Sequence, residues 1–73
     1  MKKILIRYCP IWDGYPEAAQ SVSDELKDFN VNIEEGDRGE FTITCGDNII
    51  FDKSKIDRFP NDNEIIKIIV GEQ

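Results

Sequence analysis

Hydrophobic positions change period several times along the chain, and each change marks an element. Ile4, Ile6 and Tyr8 alternate with Leu5 and Arg7, the two-residue period of a strand over Lys2 to Tyr8. Cys9-Pro10 ends it, because Pro10 has no amide to give to a ladder. Asp13-Gly14 signals a turn, and Pro16 suits the first position of a helix. From Pro16 to about Phe29, residues Ala18, Val22, Leu26 and Phe29 form one stripe at helical spacing, with mostly polar residues outside it. Val31-Asn32-Ile33 returns to alternation as a short strand, and Glu35 to Gly39 is a loop. Glu40 to Cys45 puts Phe41, Ile43 and Cys45 on one side and Thr42 and Thr44 on the other, which predicts a sheet covered on one face only. Gly46-Asp47-Asn48 is a hairpin connection, and the chain returns over Asn48 to Asp52.

Asp57 to Asn63 is polar and punctuated by Pro60. The segment Glu64 to Val70 is ambiguous on pattern. Five β-branched residues in seven speak for a strand. The N-cap candidates Asn61, Asp62 and Asn63, the acidic Glu64 and the stop at Gly71 speak for a helix. With the helix, the string is β-α-β-β-β-α. It predicts a parallel β-α-β crossover followed by an antiparallel hairpin, with two helices on one face of a four-stranded sheet.

At 73 residues the sequence makes a single domain over 1–73, with a thin core. A net charge of −6 argues against nucleic acid, which needs clustered cations; only Lys2, Lys3 and Arg7 lie close together. The same acidity disfavours an anionic membrane surface. Neither Ile4–Ile6 nor Ile65–Val70 is long enough for a signal-peptide core or a membrane span, so a cytoplasmic protein is expected. Two cysteines are too few for a disulfide framework, and a chain without histidine offers a poor metal set and lacks the commonest general base. No metal and no resident cofactor are expected.

Three segments carry a family likeness: Ile4-Leu5-Ile6-Arg7-Tyr8-Cys9, Gly39-Glu40-Phe41-Thr42-Ile43, and Ile49-Ile50-Phe51-Asp52-Lys53 followed by Arg58-Phe59-Pro60. In order and spacing they resemble the selenoprotein W-like (Rdx) family. The resemblance implies a thioredoxin-like α/β fold, with sheet order 2-1-3-4, a helix as the last element, and strand three antiparallel to strand one. Cys9 and Cys45 would then lie at opposite ends of the sheet, too far apart to be bonded.

Members of that family typically carry Cys-x-x-Cys or Cys-x-x-selenocysteine after the first strand, and are regarded as redox proteins linked to glutathione and protein partners. Here Cys9-Pro10-Ile11-Trp12 keeps the first position and replaces the second, and Asp57 stands where the family has glycine before Arg58-Phe59-Pro60. Trp12 cannot resolve a mixed disulfide, so the remaining chemistry is that of a single thiol, with glutathione as a co-substrate or a protein thiol as partner. The alternative is a non-catalytic module that holds a protein or thiol ligand at the same edge. The implied topology gathers Cys9 and Trp12 beside Gly36, Arg38 and Gly39, with Arg58, Phe59 and Pro60 nearby. One or both arginines would favour a Cys9 thiolate, and Asp13 would oppose it. Trp12 reads either as a cap on the sheet edge or as a partner contact. Cys45 reads as a small core hydrophobe.

Overall fold

The computed structural model describes residues 3–71. Its elements are β1 (Lys3–Tyr8), α1 (Tyr15–Glu25), β2 (Asn30–Glu35), β3 (Phe41–Cys45), β4 (Asn48–Asp52), α2 (Lys53–Ile56) and α3 (Glu64–Gly71). The strands form one sheet in the order β2-β1-β3-β4. β1 and β2 are parallel, β3 runs antiparallel to β1, and β4 antiparallel to β3. The expected order, crossover and hairpin are all present. Lys2, expected at the start of β1, lies outside the described residues.

Alternation decides the two faces. Ile4, Ile6, Phe41, Ile43, Cys45 and Phe51 are buried under α1 and α3, together with Ala19, Val22, Leu26 and Ile65. Burying one large apolar side chain contributes about 1.5–3 kcal/mol, so this layer supplies most of the stability of a small domain. Thr42 and Thr44 stay half-buried on the other face, as a two-layer fold requires. α3 is a helix despite its β-branched residues. Ile65 is enclosed, and Ile66, Ile68 and Ile69 pack against the core, so tertiary burial outweighs propensity. No described helix is long and apolar enough to cross a membrane.

The extents of α1 and β2 differ from the sequence expectation, and one element is additional. α1 ends at Glu25, not near Phe29. The Leu26 amide donates to the carbonyls of both Val22 and Ser23, a tightened last turn, and Phe29 closes the following turn by donating to Leu26. The chain has to reverse there to bring β2 alongside β1. β2 extends over Asn30–Glu35, because Arg7 and Tyr8 of β1 continue the ladder to Glu34 and Glu35. Between β4 and α3 lies an additional short helix, α2, whose N-cap is Asp52; its carboxylate accepts from the Ser54 amide at 3.0 Å. α2 ends at Asp57 in the left-handed conformation, φ 67 and ψ 30. Glycine, which the resembled family carries at this position, adopts that conformation freely, and aspartate is among the residues that tolerate it.

Candidate functional site

Cys9 follows β1 directly, and its amide donates to the Glu40 carbonyl at 2.7 Å. That bond carries the β1–β3 pairing one residue past the strand and ties Cys9 to the loop before β3. The same loop is held from the β2 side, where the Gly36 amide donates to the Tyr8 carbonyl at 2.8 Å. Glu40 braces the loop from within. Its carboxylate accepts from the Asp37 amide at 2.8 Å and the Thr42 hydroxyl at 3.1 Å, and lies 3.5 Å from Arg7 Nε. A Cβ on Gly36 would collide with that carboxylate. Sequence reasoning overlooked Glu40 and Arg7 as the groups that shape this loop; their alternation on the open face of β1 and β3 was the available signal.

The Cys9 residue is wholly enclosed. Burial pushes its thiol pKa up, but the backbone amides of Gly39, Ile11 and Trp12 hydrogen-bond to the sulfur and the Arg38 charge acts in the same direction. The net pKa lies below that of an ordinary thiol. A thiol lowered in this way carries more thiolate, its reactive form. The helix dipole has no direct part in this, because α1 begins at Tyr15 after an N-cap at Gly14.

Trp12 lies over the same loop. Gly39 has φ +76, and a Cβ built there would stand 2.9 Å from Trp12 Cη2 and 3.0 Å from Cζ3. Gly39 is therefore required twice, for its backbone conformation and for the ring resting on it. The indole meets Tyr15 edge-on at 5.5 Å and remains 45% exposed, while neighbouring Ile11 is 67% exposed. Tyr15 is the hub of the aromatic wall behind the site, with Phe59 at 4.9 Å and Phe41 at 6.3 Å. The Lys53 ammonium stands 5.3 Å from the Tyr15 ring and 5.0 Å from that of Phe59. Neither Tyr15 nor Lys53 was singled out from sequence, since Tyr15 precedes the apolar stripe and Lys53 opens a helix that the pattern hid.

The two arginines part company. Arg38 bears on Cys9, and beside it a shallow cleft of about 360 Å³ is lined by Arg7, Arg38, Gly39, Glu40, Asp52 and Ser54 among others. Arg58 does not join them. Its guanidinium is bidentate to Glu64, at 2.7 and 2.9 Å, and also donates to the Phe59 carbonyl. Glu64 also accepts from the Asn61 amide, and its carboxyl is lowered to about 2. Arg58, Phe59 and half-buried Pro60 thus shape the entry to α3; Phe59 packs on Tyr15 and Phe41, and the Arg58 guanidinium stands 5.9 Å from the Phe51 ring centroid.

Cys45 sits in β3 opposite Ile4, whereas Cys9 lies one step beyond the Tyr8–Phe41 pair at the other end of the sheet; both thiols are free. Among the described residues no group of His, Cys, Asp and Glu is arranged to hold a metal ion.

Compared with known proteins, the chain matches the model of the Rdx family over residues 3–70. No curated protein matches it. The family match spans every strand and all but the last residue of α3, including the loop that holds Cys9. The chain therefore belongs to the Rdx family, whose thioredoxin-like fold it shares and whose role is redox-related.

Proposed function

We propose that this protein is a cytoplasmic single-thiol redox protein working through Cys9, which exchanges with a disulfide of glutathione or of a protein partner. What supports this reading is the position of Cys9 one residue past β1, tied by its amide to Glu40 in the loop before β3, where the backbone of Gly39, Ile11 and Trp12 and the charge of Arg38 lower its thiol pKa. Such an environment raises the thiolate fraction, and the thiolate is the nucleophile. The Cys9 thiolate attacks one sulfur of the partner disulfide. A new S–S bond forms as the old one breaks, and the departing thiolate takes a proton from water. Trp12 holds the position from which a second cysteine would resolve this adduct. A thiolate from outside therefore attacks the partner's sulfur and releases Cys9 as thiolate, so the protein ends each cycle in its starting redox state. Arg38 is the positive group near Cys9 that would attract a carboxylate-bearing thiol such as glutathione.

A second reading has its own support. The enclosed sulfur and the exposed Ile11 and Trp12 favour a binding module that uses this edge without thiol chemistry. One experiment separates the two. In a Cys45→Ala variant, alkylation of Cys9 by iodoacetamide is followed against pH, and the protein is then incubated with glutathione disulfide and weighed by mass spectrometry. The redox reading expects a midpoint well below about 8.5 and a mixed disulfide on Cys9. A midpoint at or above that value, with no adduct, leaves the binding module.

A further inference from the structure

We infer that the free edge of β4 pairs with the same edge of a second copy of this chain, making a weak two-fold dimer. The pairing is independent of the thiol chemistry of Cys9.

Among the described residues, β2 and β4 are the outer strands of the sheet and each has one unpaired edge. An open edge offers unused backbone donors and acceptors to another strand, and charged side chains are the usual protection. β2 has that protection, since it ends in the exposed acids Glu34 and Glu35. β4 exposes Ile49 instead, at 62%, and Ile56 of α2 is exposed at 43%. Both line a groove of about 190 Å³ between β4 and α2, with Ile50, Phe51, Asp52 and Lys55. That leaves room for the branched side chain of a second Ile49; a cavity of about 150 Å³ already holds a benzene ring.

Charge decides which partner fits. The whole chain carries −6, so two copies repel over most of their surface. From Asp47 to Ile56 the charge is balanced, with Asp47 and Asp52 against Lys53 and Lys55. Asp47 precedes the strand and both lysines follow it. In a two-fold antiparallel pair the start of each β4 lies beside the end of the other, so Asp47 of each copy meets the lysine end of the other. Lys55 is exposed and available for this, whereas the Lys53 ammonium stands over the Tyr15 and Phe59 rings. Size then sets the strength. A stable interface uses about 20–30 residues a side, while β4 and α2 supply five and four, so a Kd of about 0.1 mM is expected. Ile50, which faces no residue of β3, keeps the regular stretch short, and the acidic β2 edge stops growth beyond two copies.

The test is sedimentation equilibrium on the whole chain with a thiol reductant present, at concentrations from about 0.02 to 2 mM that bracket that Kd. The wild type should fit a monomer–dimer equilibrium. Ile49→Lys should weaken it at least about tenfold and keep a native circular dichroism spectrum, because position 49 is exposed. Asp47→Lys and Lys55→Asp should each weaken it several-fold, and the double variant should recover, because the exchange restores opposite charges across the pair. Amide signals that shift with concentration should centre on residues 48–52. A wild type that stays monomeric throughout overturns the dimer and leaves the edge to an extended segment of another protein. A dimer that Ile49→Lys does not weaken overturns the placement on β4, and a double variant no better than the singles overturns the antiparallel arrangement.

Discussion

Cys9 and Cys45 are both buried in one core cluster, yet they sit in different chemical surroundings. Cys45 is the last residue of β3, still paired on both sides, with its backbone in register with Ile4 and with Asn48. There the amides are committed to neighbouring strands, and the side chain serves as a small hydrophobe. Cys9 stands one residue past the end of β1, where the chain leaves the ladder. The backbone of Ile11, Trp12 and Gly39 belongs to loops, and together with Arg38 it lowers the Cys9 thiol pKa. Burial therefore does not by itself decide whether a thiol is inert. What decides is whether the enclosing backbone has N–H groups left over from secondary structure.

The harshest way to break this contrast is to remove a large ring from the common core. Phe41 is buried and meets the rings of Tyr15, Phe51 and Phe59. Phe41→Ala should cost about 3–5 kcal/mol in urea unfolding, a large part of the stability of so small a domain. Labelling should then reach both cysteines at similar rates, because each is exposed by global opening.

A milder change sharpens the contrast. Cys45→Ser puts a hydroxyl into an apolar site and should lose about 1–3 kcal/mol. Cys9→Ser should lose clearly less, since three amides remain to hydrogen-bond the oxygen. Equal losses in urea midpoint would mean that the amides do not hold the Cys9 sulfur.

Charge gives a smaller effect. Arg38→Ala should raise the Cys9 pKa and slow its alkylation at pH 7 by about two- to threefold, the scale of one solvent-screened charge. Arg58→Ala should leave that rate alone, because its guanidinium is already engaged by Glu64. A slowing in Arg58→Ala alone would reverse the assignment of the two arginines.

The smallest effect is in acid, at the entry to α3 behind the Cys9 end. The Arg58 guanidinium and the Asn61 amide hold the Glu64 carboxyl at about 2, below its unfolded value. The stability they contribute is present above the unfolded value and is lost as pH falls from about 4.5 toward 2. Solvent exposure of the pair keeps the contribution modest. Melting temperatures from pH 6 to 2.5 should show a shallower decline in Glu64→Gln than in the wild type.

Much of the architecture was legible in the residues themselves. Period-two alternation in Ile4–Tyr8 and Phe41–Cys45 determines which face is buried, since one residue of slip would turn the whole apolar set to solvent. The change to helical spacing at Val22 and Leu26 determines that a helix covers that face. The family likeness, carried by Tyr8-Cys9, Gly39-Glu40-Phe41 and Arg58-Phe59-Pro60, identified the edge where Cys9, Trp12, Arg38 and Gly39 come together. α2 was not legible, because four residues with none buried leave no periodic trace. Nor was the end of α1, where reversal of the chain toward β2 overrides a stripe that continues to Phe29.

The site separates along the same line. Sequence alone determined that tryptophan, and no second cysteine, stands at position 12 after Cys9, and that the sequence has no histidine. Only the tertiary structure decided which arginine acts on the sulfur. Arg38 and Arg58 look equivalent on the page, and the difference is a carboxylate six residues from Arg58 that α3 brings within 2.7 Å. It likewise decided that the Trp12 ring rests on Gly39, a contact between residues far apart in the chain. Local pattern encodes period and chain reversal. Pairing between distant side chains depends on distances that exist only once the sheet has formed.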